Sequence, residues 1–136
     1  MDIPTALIVD DREDQRKLYG MVEEYLQVRA LIVSNVQEAL DAFKSHTIDI
    51  VLLDVKMPER DGYECARLIR EMDAKEDRHT PILGVSASVF EGDADKCMVA
   101  GMDAFIRKPF SLTDLKNTVH SLLGRSISGG GAANPW

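Results

Sequence analysis

The sequence is short of cysteine, of histidine and of positive charge, and each shortage removes a class of function. Cys65 and Cys97 stand far apart, form no C-x-x-C pair and fall inside helical patterns, so both read as reduced thiols rather than as a disulfide or a thiolate metal site. His46, His79 and His120 have no neighbours at metal-ligand or catalytic spacing, which leaves them surface or helix-packing roles. A formal charge of −7 leaves no concentrated basic face for nucleic acid or an anionic membrane. No apolar run approaches the roughly 18 residues needed to cross a bilayer. No basic-then-apolar leader opens the chain, so a cytoplasmic location without membrane insertion is expected. No glycine-rich loop follows the first apolar run and no G-x-x-x-x-G-K-[ST] occurs, which sets nucleotide and flavin binding aside.

What the chain does have is alternation. With 136 residues, 45% of them hydrophobic, it can fill one core. Five short apolar runs read as strands: "ALIVD" (6–10), "ALIVS" (30–34), "IVLLD" (50–54), "PILGVS" (81–86) and "DAFIRK" (103–108). A helical pattern follows each. The first stripe is Leu18, Met21, Val22, Tyr25 and Leu26; the second opens at Asn35, with Glu38 in capping-box position, and buries Ala39, Leu40 and Phe43. The third carries Tyr63, Ala66, Ile69 and Met72, and the fourth, Phe90, Ala94, Cys97 and Met98, stops at Gly101. The last begins at Ser111 and presents Leu112, Leu115, Val119, Leu122 and Leu123. Strand and helix alternating five times predict an α/β fold, a doubly wound parallel sheet with helices on both faces. One domain is expected over residues 1–124, followed by a flexible Gly-rich and Ala-rich tail over 125–136. The mixed-sign run "REMDAKEDRH" (70–79) reads as a solvated helix end and loop that needs no function.

The strand ends carry the chemistry. In "DIVLLDVKMPERDG" (49–62) a run of the kind buried on both faces ends on the carboxylate of Asp54, and Pro58 and Asp61-Gly62 then turn the chain away. Ligands of open parallel sheets sit beyond the carboxyl ends of the strands, where the winding reverses. There the first strand delivers Asp10 and Asp11, the third Asp54, the fourth Ser86 and the fifth Lys108. Like charges about 4 Å apart cost on the order of 4 kcal/mol at an effective dielectric of 20, so three carboxylates on one rim call for a counter-charge. Oxygen ligands without His or Cys favour a hard divalent cation, Mg²⁺ first. A carboxylate held between Mg²⁺ and Lys108 is set up to attack phosphorus, and Ser86 can donate to a phosphoryl oxygen.

Taken together, "IVDD" (8–11), "LLDVKMPERDG" (52–62), "VSAS" (85–88) and "AFIRKPF" (104–110) resemble the receiver domain of two-component response regulators, over about residues 3–123. The resemblance implies a flavodoxin-like five-stranded sheet of order 2-1-3-4-5. It implies that Asp54 is the phosphoacceptor, that Asp11, Asp54 and the main-chain carbonyl of Lys56 bind Mg²⁺, and that Asp10 acts on it through water. Ser86 and Lys108 would grip the phosphoryl group, Phe105 would be the aromatic whose rotamer follows Ser86, and the Lys108-Pro109 peptide would be cis. The implied function is a signalling switch rather than an enzyme in the ordinary sense, one that catalyses only its own phosphorylation and slow dephosphorylation. Its donor would be a histidine kinase or histidine phosphotransfer protein. Its output would be a changed surface of the fourth helix, fifth strand and fifth helix, read by a downstream protein. The fourth helix, with the weak start "SVFEGDAD", is the element expected to move.

Two other readings compete. A Mg²⁺-dependent phosphatase of the haloacid dehalogenase type also uses a strand-end Asp, but needs Asp-x-Asp after its first strand, where this chain has Arg12 in the third position. A receiver-like module that binds partners without phosphorylation typically lacks one of the acidic or Lys residues, and all are present here.

Overall fold

In the computed structural model of the chain the described residues are 3–10, 23–54, 62–86, 98–107 and 111–128, with the side chains of 86, 107 and 125–128 outside that description. Five parallel strands, β1 (Thr5–Val9), β2 (Arg29–Val33), β3 (Ile50–Asp54), β4 (Ile82–Ser86) and β5 (Ala104–Arg107), form one sheet of order β2-β1-β3-β4-β5. Both the flavodoxin-like topology and the strand order agree with the sequence, each boundary falling within one residue of its apolar run. Three helices are described in full: α1 (Val36–Ser45), α2 (Gly62–Lys75) and α3 (Leu112–Ser128). The last of these continues past residue 124, and residues 129–136 lie outside the described ones.

Period-two alternation divides each strand between two layers. Leu7, Val9, Val51, Leu53 and Ile82 pack with Val36, Ala39 and Phe43 of α1 and Cys65, Ala66 and Ile69 of α2. Their neighbours Ala6, Ile8, Ile50, Leu52, Leu83 and Val85 pack on the other side with Leu26, Val28 and α3's Leu115, Val119, Leu122 and Leu123. Strand β3 is buried along its whole length, as its unbroken apolar run requires when both faces are covered. At its lower end Thr5 and Asp49 clasp each other, Thr5 N–H donating to Asp49 Oδ2 at 2.7 Å and Asp49 N–H to the Thr5 carbonyl at 2.9 Å, which sets the β1–β3 register.

Helix starts follow their capping residues. Asn35 accepts from the Glu38 N–H at 2.8 Å, and the Glu38 carboxylate returns to the N–H and hydroxyl of Ser34, both at 2.8 Å, one residue earlier than the usual capping box. Asn35→Ala should therefore destabilise the chain by about 1 kcal/mol in urea titration, without a change in slope, because one helix N–H loses its acceptor. Ser111 caps α3 by accepting from the Asp114 N–H at 3.0 Å.

The helical stripes differ from expectation at their margins. On α2 the fully buried apolar side chains are Cys65, Ala66 and Ile69, with Tyr63 and Met72 only partly covered. Leu112 and Tyr25 are exposed rather than core. Tyr25 lies against the start of α3: its hydroxyl and that of Thr113 are 3.3 Å apart and Lys116 Nζ sits 5.2 Å above its ring. Leu18, Met21, Val22, Phe90, Ala94 and Cys97, with the start of the fourth helical pattern, lie outside the described residues.

The run 70–79 is largely the solvated helix end and loop its mixed charges suggest, with residues 71 and 74–79 exposed and the helix ending at Lys75, but Asp73 departs from that reading. Asp73 is 1% exposed and accepts from Thr80 N–H (2.6 Å), Thr80 Oγ1 (3.0 Å), Arg70 Nη1 (3.0 Å) and Arg78 Nε (3.1 Å). Its partners converge through the fold, where a one-dimensional reading sees only alternating signs. This cluster lies at the amino-terminal edge of β4 and β5, the end opposite Asp54.

Candidate functional site

In the order β2-β1-β3-β4-β5 the winding reverses between β1 and β3, and a crevice for ligand opens beyond the carboxyl ends of those two strands. Each of them ends on an acid. Val9 is in register with Leu53, and the Asp10 N–H extends the ladder to the Val33 carbonyl at 3.1 Å, so Asp10 and Asp54 continue the row begun by Ile8 and Leu52 on neighbouring strands. Strand spacing puts their backbones about 5 Å apart.

Burial sharpens the observation. Among the described residues the buried polar or charged side chains are Asp10 (1% exposed), Asp54 (6%), Asp73 and Thr80. The last two satisfy each other at the far edge, which leaves the first two as the carboxylates delivered to the crevice. Two such groups side by side provide hard oxygen ligands, the donor set that suits Mg²⁺ or another oxygen-seeking divalent cation. The described residues contain no group of three or more His, Cys, Asp or Glu that could hold a metal ion. The third acid that the sequence brings to this rim, Asp11, lies outside them, as do Lys56, Lys108 and Pro109 with its cis expectation.

The next two strands line up beside the acids. Asp54 is in register with Val85, which puts Ser86 at the carboxyl end of β4, paired in turn with Arg107 on β5. Phe105 stands opposite Gly84, partly buried against the layer that holds α1 and α2. The fold thus gathers Asp10, Asp54, the backbone of Ser86 and Phe105 at or near the carboxyl ends of four neighbouring strands.

Sequence reasoning missed the cluster at the opposite edge: Arg70, Asp73, Thr80, Gly101 and Asp103. The available signal was a Gly and an Asp placed just before the fifth strand. The histidines take the packing roles expected of them, with His120 Nε2 2.9 Å from the Leu26 carbonyl and His79 Nε2 2.6 Å from Asp103 Oδ1. Cys65 is a buried thiol outside any disulfide.

Comparison with known proteins agrees with this geometry. The family model described as response regulator receiver domain matches residues 6–120. The polar-differentiation response regulator DivK of Brucella anthropi is 32% identical over 120 residues, 88% of this chain and 96% of that protein. Among solved structures, a CheY-like response regulator receiver domain protein from Methanospirillum hungatei superposes with a TM-score of 0.85 at 21% identity, covering 95% of this chain and all of that one. The receiver domain of the sensor histidine kinase PA1611 from Pseudomonas aeruginosa, described with magnesium coordinated in its active-site cleft, gives 0.77 at 26% identity, over 93% and 99% of the two chains.

Proposed function

The chain belongs to the response regulator receiver domain family of two-component systems, and from that premise we propose that it is a phosphoryl-accepting switch with Asp54 as its acceptor. Receiver domains are signalling switches rather than enzymes in the ordinary sense. The observation that carries the proposal is Asp54 itself: a carboxylate on the central strand, in register beside Asp10, at the point where the winding reverses.

In the proposed step an Asp54 oxygen attacks the phosphorus of a phosphohistidine on a histidine kinase or phosphotransfer protein. The new P–O bond forms as the P–N bond breaks, and the electron pair stays on the imidazole nitrogen, which takes a proton from water. Strand β3, locked between β1 and β4, holds the nucleophile on a rigid element. Asp11, Asp54 and the Lys56 main-chain carbonyl, with Asp10 through water, would hold Mg²⁺, which when bound neutralises charge on the acids and the transferring group. Ser86 and Lys108 would receive the phosphoryl oxygens. Water attacking the same phosphorus later returns the carboxylate and inorganic phosphate.

The receiver unit is assigned to residues 1–124, in the cytoplasm. No helix among the described residues is long and apolar enough to cross a membrane. Phosphorylation would draw Ser86 toward the site and let Phe105 turn inward, altering the surface of the β4–β5 connection, β5 and α3 that a downstream protein reads.

The test is intact-protein mass after incubation with acetyl phosphate. One phosphoryl group should be gained in the presence of Mg²⁺, none with chelator and none in Asp54→Asn. A folded chain that gains nothing would be left with the phosphorylation-independent interaction role.

A further inference from the structure

We propose that Arg70 is a positioning residue that pins the β5 end of the β4–β5 connection, so that a change begun at Asp54 stops at Gly101. This inference rests on the phosphoacceptor reading and adds to it a boundary for the moving part.

The geometry is specific. Arg70 projects from α2 with its guanidinium largely buried. Nε donates to the Gly101 carbonyl at 2.8 Å, Nη1 to the Thr80 carbonyl at 2.7 Å and to Asp73 Oδ2 at 3.0 Å, and Nη2 to Asp103 Oδ2 at 2.6 Å. One planar fork therefore joins α2, the approach to β4 at Thr80 and the turn into β5, a task for which a lysine ammonium has the charge but not the shape. Asp103 closes the frame: its Oδ2 accepts from the Ile82 N–H and its own N–H donates to the Ile82 carbonyl, both at 2.8 Å.

Gly101 shows how close the contact is. Its φ is +99°, a left-handed conformation, and a Cβ at this position would stand 2.8 Å from Arg70 Cγ. Only glycine lets the turn lie against the arginine stem. Met102, the next residue, is buried.

Immediately before this anchor the character changes. Met98 is 50% exposed and Val99 87%, so these last helical residues of the connection contribute little to the core, while Ala100 and Met102 are buried in it and Gly101 and Asp103 are held by α2 and β4. Arg70 acts at the amino-terminal edge of the sheet, about 16 Å from Asp54 by the length of a five-residue strand, and cannot touch a phosphoryl group. It can only decide where displacement ends.

Residue-resolved amide exchange of the full chain, with Mg²⁺ and with or without excess acetyl phosphate, tests the boundary, and intact mass of the same samples reports phosphorylation. In the wild-type chain, exchange rates should change several-fold before Gly101 and stay constant at Gly101, Met102 and Asp103. In Arg70→Gln, phosphorylated to the same extent, the change should spread through those three amides. Val119→Ala, which weakens the opposite layer, should keep the wild-type boundary and so separates position from mere loss of stability. A phosphorylation-dependent change at Gly101–Asp103 in the wild-type chain would overturn the inference, and this outcome needs no variant to fold. An unshifted boundary in Arg70→Gln, or a shifted one in Val119→Ala, would overturn it too. Absence of any mass gain would remove the phosphoacceptor reading and this inference with it.

Discussion

Asp73→Ala is expected to cost about 3–5 kcal/mol of folding stability, the range for removing one partner of a buried ion pair. The loss has two parts. The carboxylate accepts four hydrogen bonds, so truncation leaves the Thr80 N–H and hydroxyl without an acceptor in a buried place. It also strips Arg70 of one of its two carboxylates and Arg78 of its buried one. The Arg78 share is discounted, because that side chain is about one-third exposed and also reaches Glu76. A loss of this size is a large fraction of the roughly 5–15 kcal/mol that holds a domain of this kind together. Urea titration should show a much lower midpoint with a similar slope. A drop of less than about 1 kcal/mol would mean that water replaces the carboxylate without penalty, against the burial described above.

Asp10→Asn is expected to act in opposite directions on stability and on function. Carboxylates carried on backbones about 5 Å apart repel by up to about 3 kcal/mol at an effective dielectric of 20, a figure that side-chain splay and neighbouring groups reduce. Neutralising Asp10 should therefore stabilise the metal-free chain by about 1 kcal/mol or more in urea titration with chelator present. The same change removes an acceptor that would orient metal-bound water, so Mg²⁺ affinity should fall by about 10–100-fold, the range for supporting ligands. Phosphorylation by acetyl phosphate should slow in step. Stability bought at the expense of the site is a common trade-off where like charges are gathered for function. If stability and Mg²⁺ affinity fell together, Asp10 would be a structural acid and the crevice would lose its second ligand.

The layers of the fold were legible because two periods are independent of context: alternation on strands and a three-to-four spacing on helices. Asp54 was legible for a related reason, since an apolar run that stops on a charge marks where a buried strand reaches the rim. The margins were less legible. Leu112 and Tyr25 have the right phase for their stripes, but phase does not say how wide a face the neighbouring elements cover, and both emerge exposed. The Arg70 cluster left only the faint signal of a Gly and an Asp before the fifth strand, because its acceptors at Gly101 and Asp103 lie 31 and 33 residues along the chain. Nothing local distinguishes a buried Asp73 from the exposed acids on either side of it. At the candidate site, Asp10 and Asp54 stand where the sequence puts them, and the roles of Asp11, Lys56, Ser86 and Lys108 remain assignments by resemblance.

The clasp between Thr5 and Asp49 joins residues 44 apart. The pairing of β1 with β3 that it begins is the one that brings the two acids together, and it closes a loop of chain that contains β2 and α1. Closing a loop of that length has an entropic cost that precedes any contact it enables. No hairpin or early fragment of this chain can therefore hold even a partial version of the site. During synthesis Asp10 and Asp54 are brought together only when β3 docks, so under the proposed function a nascent chain would stay silent to a phosphodonor until its central sheet is in place.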